Sequence, residues 1–270
     1  MNVFRMASCM ADNAASTCQA IADYLGGATG LPVHFMKDVP YQACEAELDR
    51  GQIHLCWICG LPYAWKATAE DSYVELCVVP VMREARYQQR PVYYSDVVVH
   101  RDSPFQSFAD LRGASWSYNE PRSHSGFNVV RHHLATLGER EGFFGIAIES
   151  GAHQRSLELI RRREIDASAI DSTVLEAELR RAPHLLDDIR IIDTLGPSPM
   201  PPWVIAKSLP VELKRAITTA FLTMHAAPQG ADILAGWGIS HFVVPDDDAY
   251  EPILRMEREA AGVQLARGAT

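Results

Sequence analysis

The chain has 270 residues, 47% of them hydrophobic, which is enough apolar material for one large domain or two of moderate size. A formal net charge of −9 argues against a nucleic-acid partner, because that role requires a basic surface that neutralises phosphates. No apolar stretch approaches the length of a membrane span, so we expect no membrane insertion.

The cysteines all lie in the first third of the chain, at Cys9, Cys18, Cys44, Cys56, Cys59 and Cys77. A chain of this size does not need a disulfide framework, and we interpret most of these residues as small buried hydrophobic groups. Cys56 and Cys59 have the CxxC spacing, but no second pair accompanies them as a structural zinc site would require. We therefore expect no metal and no cofactor.

Strands and helices alternate in the first part of the chain. The pattern predicts strands over 3–8, 33–36 and 53–57, with one helix after each of the first two. This β-α-β-α-β order indicates a parallel sheet covered by helices, with ligand groups on the loops beyond the carboxyl ends of its strands. The candidate loop residues are Cys9, Tyr41, Trp57, Cys59 and Gly60.

A second β-α-β-α-β set follows a long alternating strand at 92–100. Its predicted strands include 115–118, 144–149 and 165–170, and the last of these ends at Asp171. Further strands are predicted at 189–194 and 203–206, separated by a proline-rich crossover, and helices at 210–225, 230–236 and 250–264 complete the chain.

The connections at 92–100 and 194–206 flank this second set, so its lobe looks inserted into the first. We predict one lobe from 1–95 and 203–270, and a second lobe from 96–202. The hinge strands would lie near 92–100 and 194–206, with the ligand cleft between the lobes.

The stretch 114–134 reads as a strand, a polar turn and an amphipathic helix. Ser123 or Ser125 suits the N-cap, and apolar residues recur at helical spacing from Phe127 until Gly138 ends the helix. Unpaired N–H groups and the positive end of the helix dipole favour an anion at such a turn. Taken alone, however, a Ser-x-Ser sequence also serves simply as a cap.

Several short motifs follow one another along nearly the whole chain. They are Tyr41, the segment 57–63, the strand residues 93–95 followed by 102–104, the turn 108–113, the Ser-x-Ser-Gly helix start, and residues 151–153 with 165–167 and Asp171. Each motif alone is degenerate, but in this order and spacing they resemble those of the phosphonate, phosphite and phosphate binding proteins of ABC importers.

The resemblance implies an α/β, two-lobed type II periplasmic-binding-protein fold. Each lobe would be a mostly parallel sheet flanked by helices, with the ligand cleft between the lobes. An oxyanion would be held by the turn residues Ser123, His124, Ser125 and Gly126, with Tyr41 and Tyr93 closing over it and His153 and Asp171 nearby. Trp57, Cys59 and Cys9 complete the predicted ligand-binding set.

Several of these residues also have a purely structural interpretation. Asp171 equally suits a contact to a ligand ammonium group or a cap of the next helix, and His153 equally suits a buried histidine at a helix start. Tyr94 faces away from Tyr93 in a strand, so only one of the two lines the cleft.

Two features depart from the family pattern. His124 stands where a small hydroxyl residue is usual, and a titratable ring there would narrow the pocket or charge it near neutral pH. Cys9 and Cys59 are predicted beside the cleft, where thiols are unusual. They are interpreted either as small packing residues or as soft ligands or redox-sensitive thiols.

The leading hypothesis is a solute-binding protein that closes over a small oxyanion-containing ligand such as a phosphonate, phosphite or phosphate. It would be a monomer that serves an ABC permease or a sensor protein, without catalysis. The alternatives are a lyase-type enzyme on the same fold and a cytoplasmic ligand sensor. The aromatic residues Tyr41, Trp57 and Tyr93 would also suit an aromatic or quaternary ammonium ligand held by cation–π contacts, so this alternative to an anion stays open. We expect a periplasmic or extracellular location if a leader was removed, and a cytoplasmic one if Met1 is the native start.

Overall fold

The computed structural model describes residues 3–37, 39, 41–246 and 248–267, and for Tyr41 and Gln42 it describes the backbone only. The chain divides into two compact units, Met1–Val92 with Pro199–Tyr250 and Tyr93–Ser198 with Glu251–Thr270. No helix of the described residues is both long enough and apolar enough to cross a membrane.

Strands and helices alternate through most of the chain. The strands are β1 (Phe4–Ser8), β2 (Val33–Phe35), β3 (Leu55–Trp57), β4 (Val74–Met82), β5 (Val92–His100), β6 (Ser115–Tyr118), β7 (Glu141–Phe144), β8 (Ile146–Glu149), β9 (Ala167–Asp171), β10 (Ile189–Pro199), β11 (Trp203–Ala206), β12 (Ile239–Val243) and β13 (Gln264–Ala266). The helices are α1 (Ala15–Thr29), α2 (Tyr41–Asp49), α3 (Gly60–Thr68), α4 (Val129–Thr136), α5 (His153–Arg161), α6 (Ser172–Arg181), α7 (Val211–Thr223), α8 (Pro228–Trp237) and α9 (Glu251–Glu259).

The first unit is built on a sheet with the strand order β12-β4-β11-β3-β1-β2. The expected parallel pairing joins β1 to β2 and to β3. The sheet as a whole is mixed, because β11 is antiparallel to β3 and β4, and β12 is antiparallel to β4. The prediction of a mostly parallel sheet therefore fails where late strands are added to the early β-α-β-α-β core.

Helix α1 shows why the early elements form as predicted. Cys18, Ile21, Ala22 and Leu25 follow helical spacing, and all four are buried. The helix ends at Gly30, whose φ of 70° suits the left-handed cap that glycine accepts without strain.

The second unit is built on a sheet with the strand order β10-β5-β9-β6-β8. Strand β6 is parallel to β8 and to β9, whereas β5 is antiparallel to β9, so this sheet is also mixed. Its core is aromatic, and Trp116 stacks on Phe144 with ring centroids 4.4 Å apart. The predicted strand 144–149 divides at Gly145, where a Cβ would lie 2.4 Å from the carbonyl oxygen of Gly113.

The C-terminal segment belongs to the second unit, so the prediction that all of 203–270 lies in the first lobe is wrong for this segment. Helix α9 ends at Glu259 rather than near 264, and β13 pairs in parallel with β7. Arg131 fixes the segment further by donating hydrogen bonds to the carbonyl oxygens of Ala260, at 2.7 Å, and Val263, at 3.2 Å. The chain therefore passes between the units three times, and not twice as a simple insertion would require.

Candidate functional site

The predicted anion turn lies at the start of α4 in the second unit. The hydroxyl of Ser123 accepts a hydrogen bond from the Gly126 N–H at 3.1 Å, which confirms Ser123 as a capping residue. The N–H of Asn128 donates to the carbonyl of Ser123 at 3.0 Å, so residues His124–Asn128 form one π-helical turn before α4 begins. Such turns are rare and often occur at functional sites, and local spacing predicted only an ordinary helix start.

Gly126 is required at this turn by its neighbours rather than by its backbone angles. A Cβ at this position would lie 2.0 Å from the Asn119 side-chain oxygen and 3.3 Å from Cε1 of His153. The turn therefore packs directly on the strand end that carries Asn119 and on the first residue of α5. No larger residue fits without moving both side chains.

Ser125 and His153 form the polar centre of the arrangement. The Ser125 hydroxyl lies 3.1 Å from Nε2 of His153 and 3.5 Å from the hydroxyl of Ser123. All three side chains are buried. Within the described residues, Nδ1 of His153 and Oδ1 of Asn119 are buried without a hydrogen-bond partner. Because unsatisfied buried polar atoms are costly, these two atoms mark a place where a ligand can complete the hydrogen bonding.

His124 points away from this polar centre. Its Nε2 lies 2.9 Å from the Ser198 hydroxyl and its Nδ1 lies 3.1 Å from the Asn128 amide nitrogen, which also donates to the carbonyl of Ile253. The imidazole is fully buried, and desolvation lowers its pKa to about 3. The ring is therefore neutral near pH 7, and the expectation that it would charge a pocket is wrong.

His153 is neutral for the same reason, because burial lowers its pKa to about 4. Its tautomer follows from its partner: if Nε2 accepts the Ser125 proton, Nδ1 carries a hydrogen that can be donated, and in the other tautomer Nδ1 is an acceptor. Either form can hydrogen-bond to a polar ligand without adding charge.

Asp171 caps α6, which confirms the structural alternative for this residue. Its carboxylate accepts hydrogen bonds from the backbone N–H groups of Thr173 and Val174 and from the Thr173 hydroxyl. Desolvation raises its pKa to about 6 against the opposing effect of the hydrogen bonds from Thr173. Strand β9, which ends at Asp171, packs against the π-helical turn, so a ligand contact stays a prediction.

Tyr93 lies in the same unit and is fully buried in β5. Its ring centroid lies 6.4 Å from that of His124, so the two rings pack together beneath the turn. The second unit thus contains seven of the predicted site residues, namely Ser123, His124, Ser125, Gly126, Tyr93, His153 and Asp171.

The other predicted residues lie in the first unit. Trp57 is a core residue: it stacks on Trp203 with centroids 5.5 Å apart, and its Nε1 donates to the carbonyl of Pro201. The Cys9 thiol faces Cys44 at 3.1 Å. Cys59 is half-buried and precedes α3, and the side chain of Tyr41 lies outside the described residues.

Three residues of the second unit escaped prediction, namely Asn119, Asn128 and Ser198. Asn119 follows a predicted strand end, where polar side chains commonly meet a ligand, and this signal was available in the sequence. Asn128 lies four residues after His124, a spacing that places two side chains on one helix face. Ser198 lies in a proline-rich stretch and carried no signal.

Several solved structures have closely similar folds. A binding protein component of an ABC phosphonate transporter from Pseudomonas aeruginosa has a TM-score of 0.83 at 18% identity, over 96% of this chain and 86% of that one. PhnD1 from Prochlorococcus marinus, solved in complex with methylphosphonate, has a TM-score of 0.84 at 15% identity, over 97% and 99%. At these identities the likeness shows the fold, which is the two-lobed type II periplasmic-binding-protein class.

The family model described as "ABC transporter, phosphonate, periplasmic substrate-binding protein" matches residues 7–250, and the chain belongs to this family. The phosphonates-binding periplasmic protein of Escherichia coli is 24% identical over 185 residues, which represent 66% of this chain. The match spans 54% of that relative, so little more than half of its length is compared.

Proposed function

We propose that this protein is the substrate-binding component of an ABC importer and that it binds a phosphonate or a closely related oxyanion, without making or breaking bonds. The observation that carries the proposal is the buried turn Ser123–Gly126, in which the Ser125 hydroxyl faces His153 at the start of a second helix. Family membership and the methylphosphonate complex of PhnD1 support the same ligand class.

The ligand would be held by neutral groups rather than by cations. Serine hydroxyls and the N–H groups at the starts of the π-helical turn and of α5 are donors, and helix N-termini favour anions. Both histidines are neutral near pH 7 because burial lowers the pKa of each. Selectivity among anions would therefore depend on hydrogen bonds rather than on net charge.

The site also contains an acceptor that a fully ionised ligand leaves unused. Oδ1 of Asn119 only accepts hydrogen bonds, and among the described residues nothing donates to it. A monoprotonated phosphonate carries both acceptor oxygens and one O–H donor, whereas a sulfonate of the same shape has acceptors only. We therefore expect the site to prefer a phosphonate over the matching sulfonate.

A ligand screen tests the proposal. Methylphosphonate, ethylphosphonate, phosphite and phosphate would be compared by calorimetry and by thermal unfolding, with methanesulfonate and sulfate as shape-matched controls that lack the donor. At least one phosphorus oxyanion should raise the melting temperature and bind at least about tenfold more tightly than its sulfur counterpart, since an unpaired buried acceptor costs about 1–3 kcal/mol. Failure of every phosphorus oxyanion to bind at millimolar concentration would refute the proposal.

The proposed partner is an ABC permease, and the proposed location is the periplasm, both as expected for the family. We also propose that the protein acts as a monomer and that the strands β5 and β10, which carry the chain between the two units, act as hinges. Sedimentation of the free and methylphosphonate-bound protein would test the monomer, and small-angle scattering of the same samples would test closure.

A further inference from the structure

Three buried thiols meet in the first unit, far apart in the sequence. The sulfur of Cys9 lies 3.1 Å from that of Cys44 and 3.6 Å from that of Cys56, and the last two sulfurs are 3.9 Å apart. Cys9 follows β1, Cys44 lies in α2 and Cys56 lies in β3, so the three thiols come from three separate parts of the fold and meet at one point. None of the described cysteines forms a disulfide.

The spacing matches what three sulfur ligands of one metal ion require. A point equidistant from the three sulfurs lies about 2.1 Å from each, close to the metal–thiolate bond of about 2.3 Å found in protein sites. A movement of a few tenths of an ångström per side chain would complete the bonds. Simple packing of three thiols would not require all three sulfurs to converge on one point.

The surroundings of the cluster favour a soft ion. All three cysteines are buried, with exposed fractions of 6%, 1% and 0% for Cys9, Cys44 and Cys56. Cys44 lies in the first turn of α2, where the positive end of the helix dipole stabilises a thiolate. No fourth histidine, cysteine or carboxylate of the described residues joins the group.

We propose that the sulfurs of Cys9, Cys44 and Cys56 form a three-coordinate binding site for a soft monovalent metal ion, Cu(I). Thiolates select soft ions such as Cu(I), whereas structural zinc sites are almost always completed by four ligands. The site lies in a different unit from the Ser123–Gly126 turn, and it does not depend on the function proposed for that turn.

Anaerobic titration of the full chain with Cu(I) tests the site. The reduced protein would be titrated in the presence of a colorimetric Cu(I) chelator, and the bound metal would be counted after desalting. We expect one copper per chain, an increase in melting temperature, and an X-ray absorption spectrum that shows three sulfur neighbours. A parallel titration with Zn(II) should show weaker binding.

Matched alanine variants separate the site from general effects of thiol removal. Cys44→Ala and Cys9→Ala each remove one sulfur and should weaken Cu(I) binding by more than the about 10–100-fold that loss of a group supporting a metal ligand costs. Cys18→Ala removes an equally buried thiol outside the cluster and should bind like the wild type. Two cluster variants are used so that the test still holds if one of them misfolds, and circular dichroism would confirm that each is folded.

The proposal would be overturned by equal copper affinity in the wild type and in both cluster variants. Tighter binding of Zn(II) than of Cu(I), or an absorption spectrum without a three-sulfur shell, would also overturn it.

Discussion

His124 and Ser198 are joined by a hydrogen bond of 2.9 Å between side chains 74 residues apart. This bond ties the π-helical turn to β10, and the second ring nitrogen of His124 ties it to Asn128. The imidazole therefore supports the turn from behind while Ser125 faces His153. His124, the residue that departs from the family pattern, thus has a structural role, because its imidazole holds the turn in place.

Replacing His124 with alanine should destabilise the protein by about 2–4 kcal/mol. The change creates a cavity, removes the partner of the buried Ser198 hydroxyl and leaves the Asn128 amide with only its hydrogen bond to the carbonyl of Ile253. Urea unfolding would measure the loss, and His184→Ala provides a control because His184 is exposed. Equal stability of His124→Ala and the control would show that the buried network contributes nothing.

The protein should lose stability as the pH falls from about 6.5 towards 4. His124 and His153 have pKa values of about 3 and about 4 when folded, against the usual 6.5, so the unfolded chain binds more protons in this window. Each histidine lowers the free energy of unfolding by up to about 1.4 kcal/mol for each unit by which the pH falls in this window. Asp171 opposes them between 3.8 and about 6, because its raised pKa makes the folded chain bind the extra proton.

Urea unfolding at a series of pH values would measure this slope, which should be smaller in His153→Gln because one of the two buried histidines is gone. A slope that is identical in the wild type and in His153→Gln would contradict the role of burial in lowering the pKa.

Local chemistry explains what could be predicted from the sequence. The cap at Ser123 and the helix opening at His153 depend on neighbouring residues, and both appear in the structure where they were expected. Asp171 was predictable as a cap for the same reason. The residue types at a helix boundary therefore predict where the helix begins and which side chain caps it.

Long-range contacts explain what could not be predicted. Ser198 lies in Gly-Pro-Ser-Pro, which predicts a crossover, yet pairing within the sheet extends β10 through Pro199. The amphipathic pattern of α9 predicts a helix but not the unit on which it packs, which is decided by contacts such as those of Arg131. The convergence of the Cys9, Cys44 and Cys56 thiols likewise depends on three elements that meet only in the folded chain.

Gly126→Ala should abolish tight ligand binding and destabilise the protein by about 1–3 kcal/mol, the usual cost of overpacking. The added methyl group would overlap the Asn119 side-chain oxygen and displace His153. Gly236→Ala is the matched control, since a Cβ there meets nothing within 4 Å and alanine favours a helix. Calorimetry and thermal unfolding of both variants would measure the effects, and ligand affinity that survives in Gly126→Ala would remove the turn from the proposed site.

Ser125→Ala should weaken oxyanion binding by about 1–3 kcal/mol, because it removes one buried donor and leaves His153 without its partner. Stability should fall by about 1–3 kcal/mol, because the buried Nε2 of His153 loses its partner, while the cap is kept because Ser123 provides it. Ser115→Ala is a suitable control because Ser115 lies at the opposite end of β6 from the turn and bonds Asp166. Calorimetry with methylphosphonate would measure the difference, and equal affinities in both variants would exclude Ser125 from binding.

Asp171→Asn should make the protein more stable at pH 8 by about 1–3 kcal/mol. Asparagine caps a helix about as well as aspartate, so the hydrogen bonds to Thr173 and Val174 are retained. The substitution removes a carboxylate that burial makes costly to ionise, with a pKa raised from 3.8 to about 6. Because the wild-type carboxyl is protonated in the folded protein below that value, the advantage should shrink steadily from pH 6 to pH 4. Urea unfolding of both proteins at pH 8, 6 and 4 would measure the difference in their free energies of unfolding. If the variant is less stable relative to the wild type at pH 8 than at pH 4, the ionised carboxylate stabilises the fold.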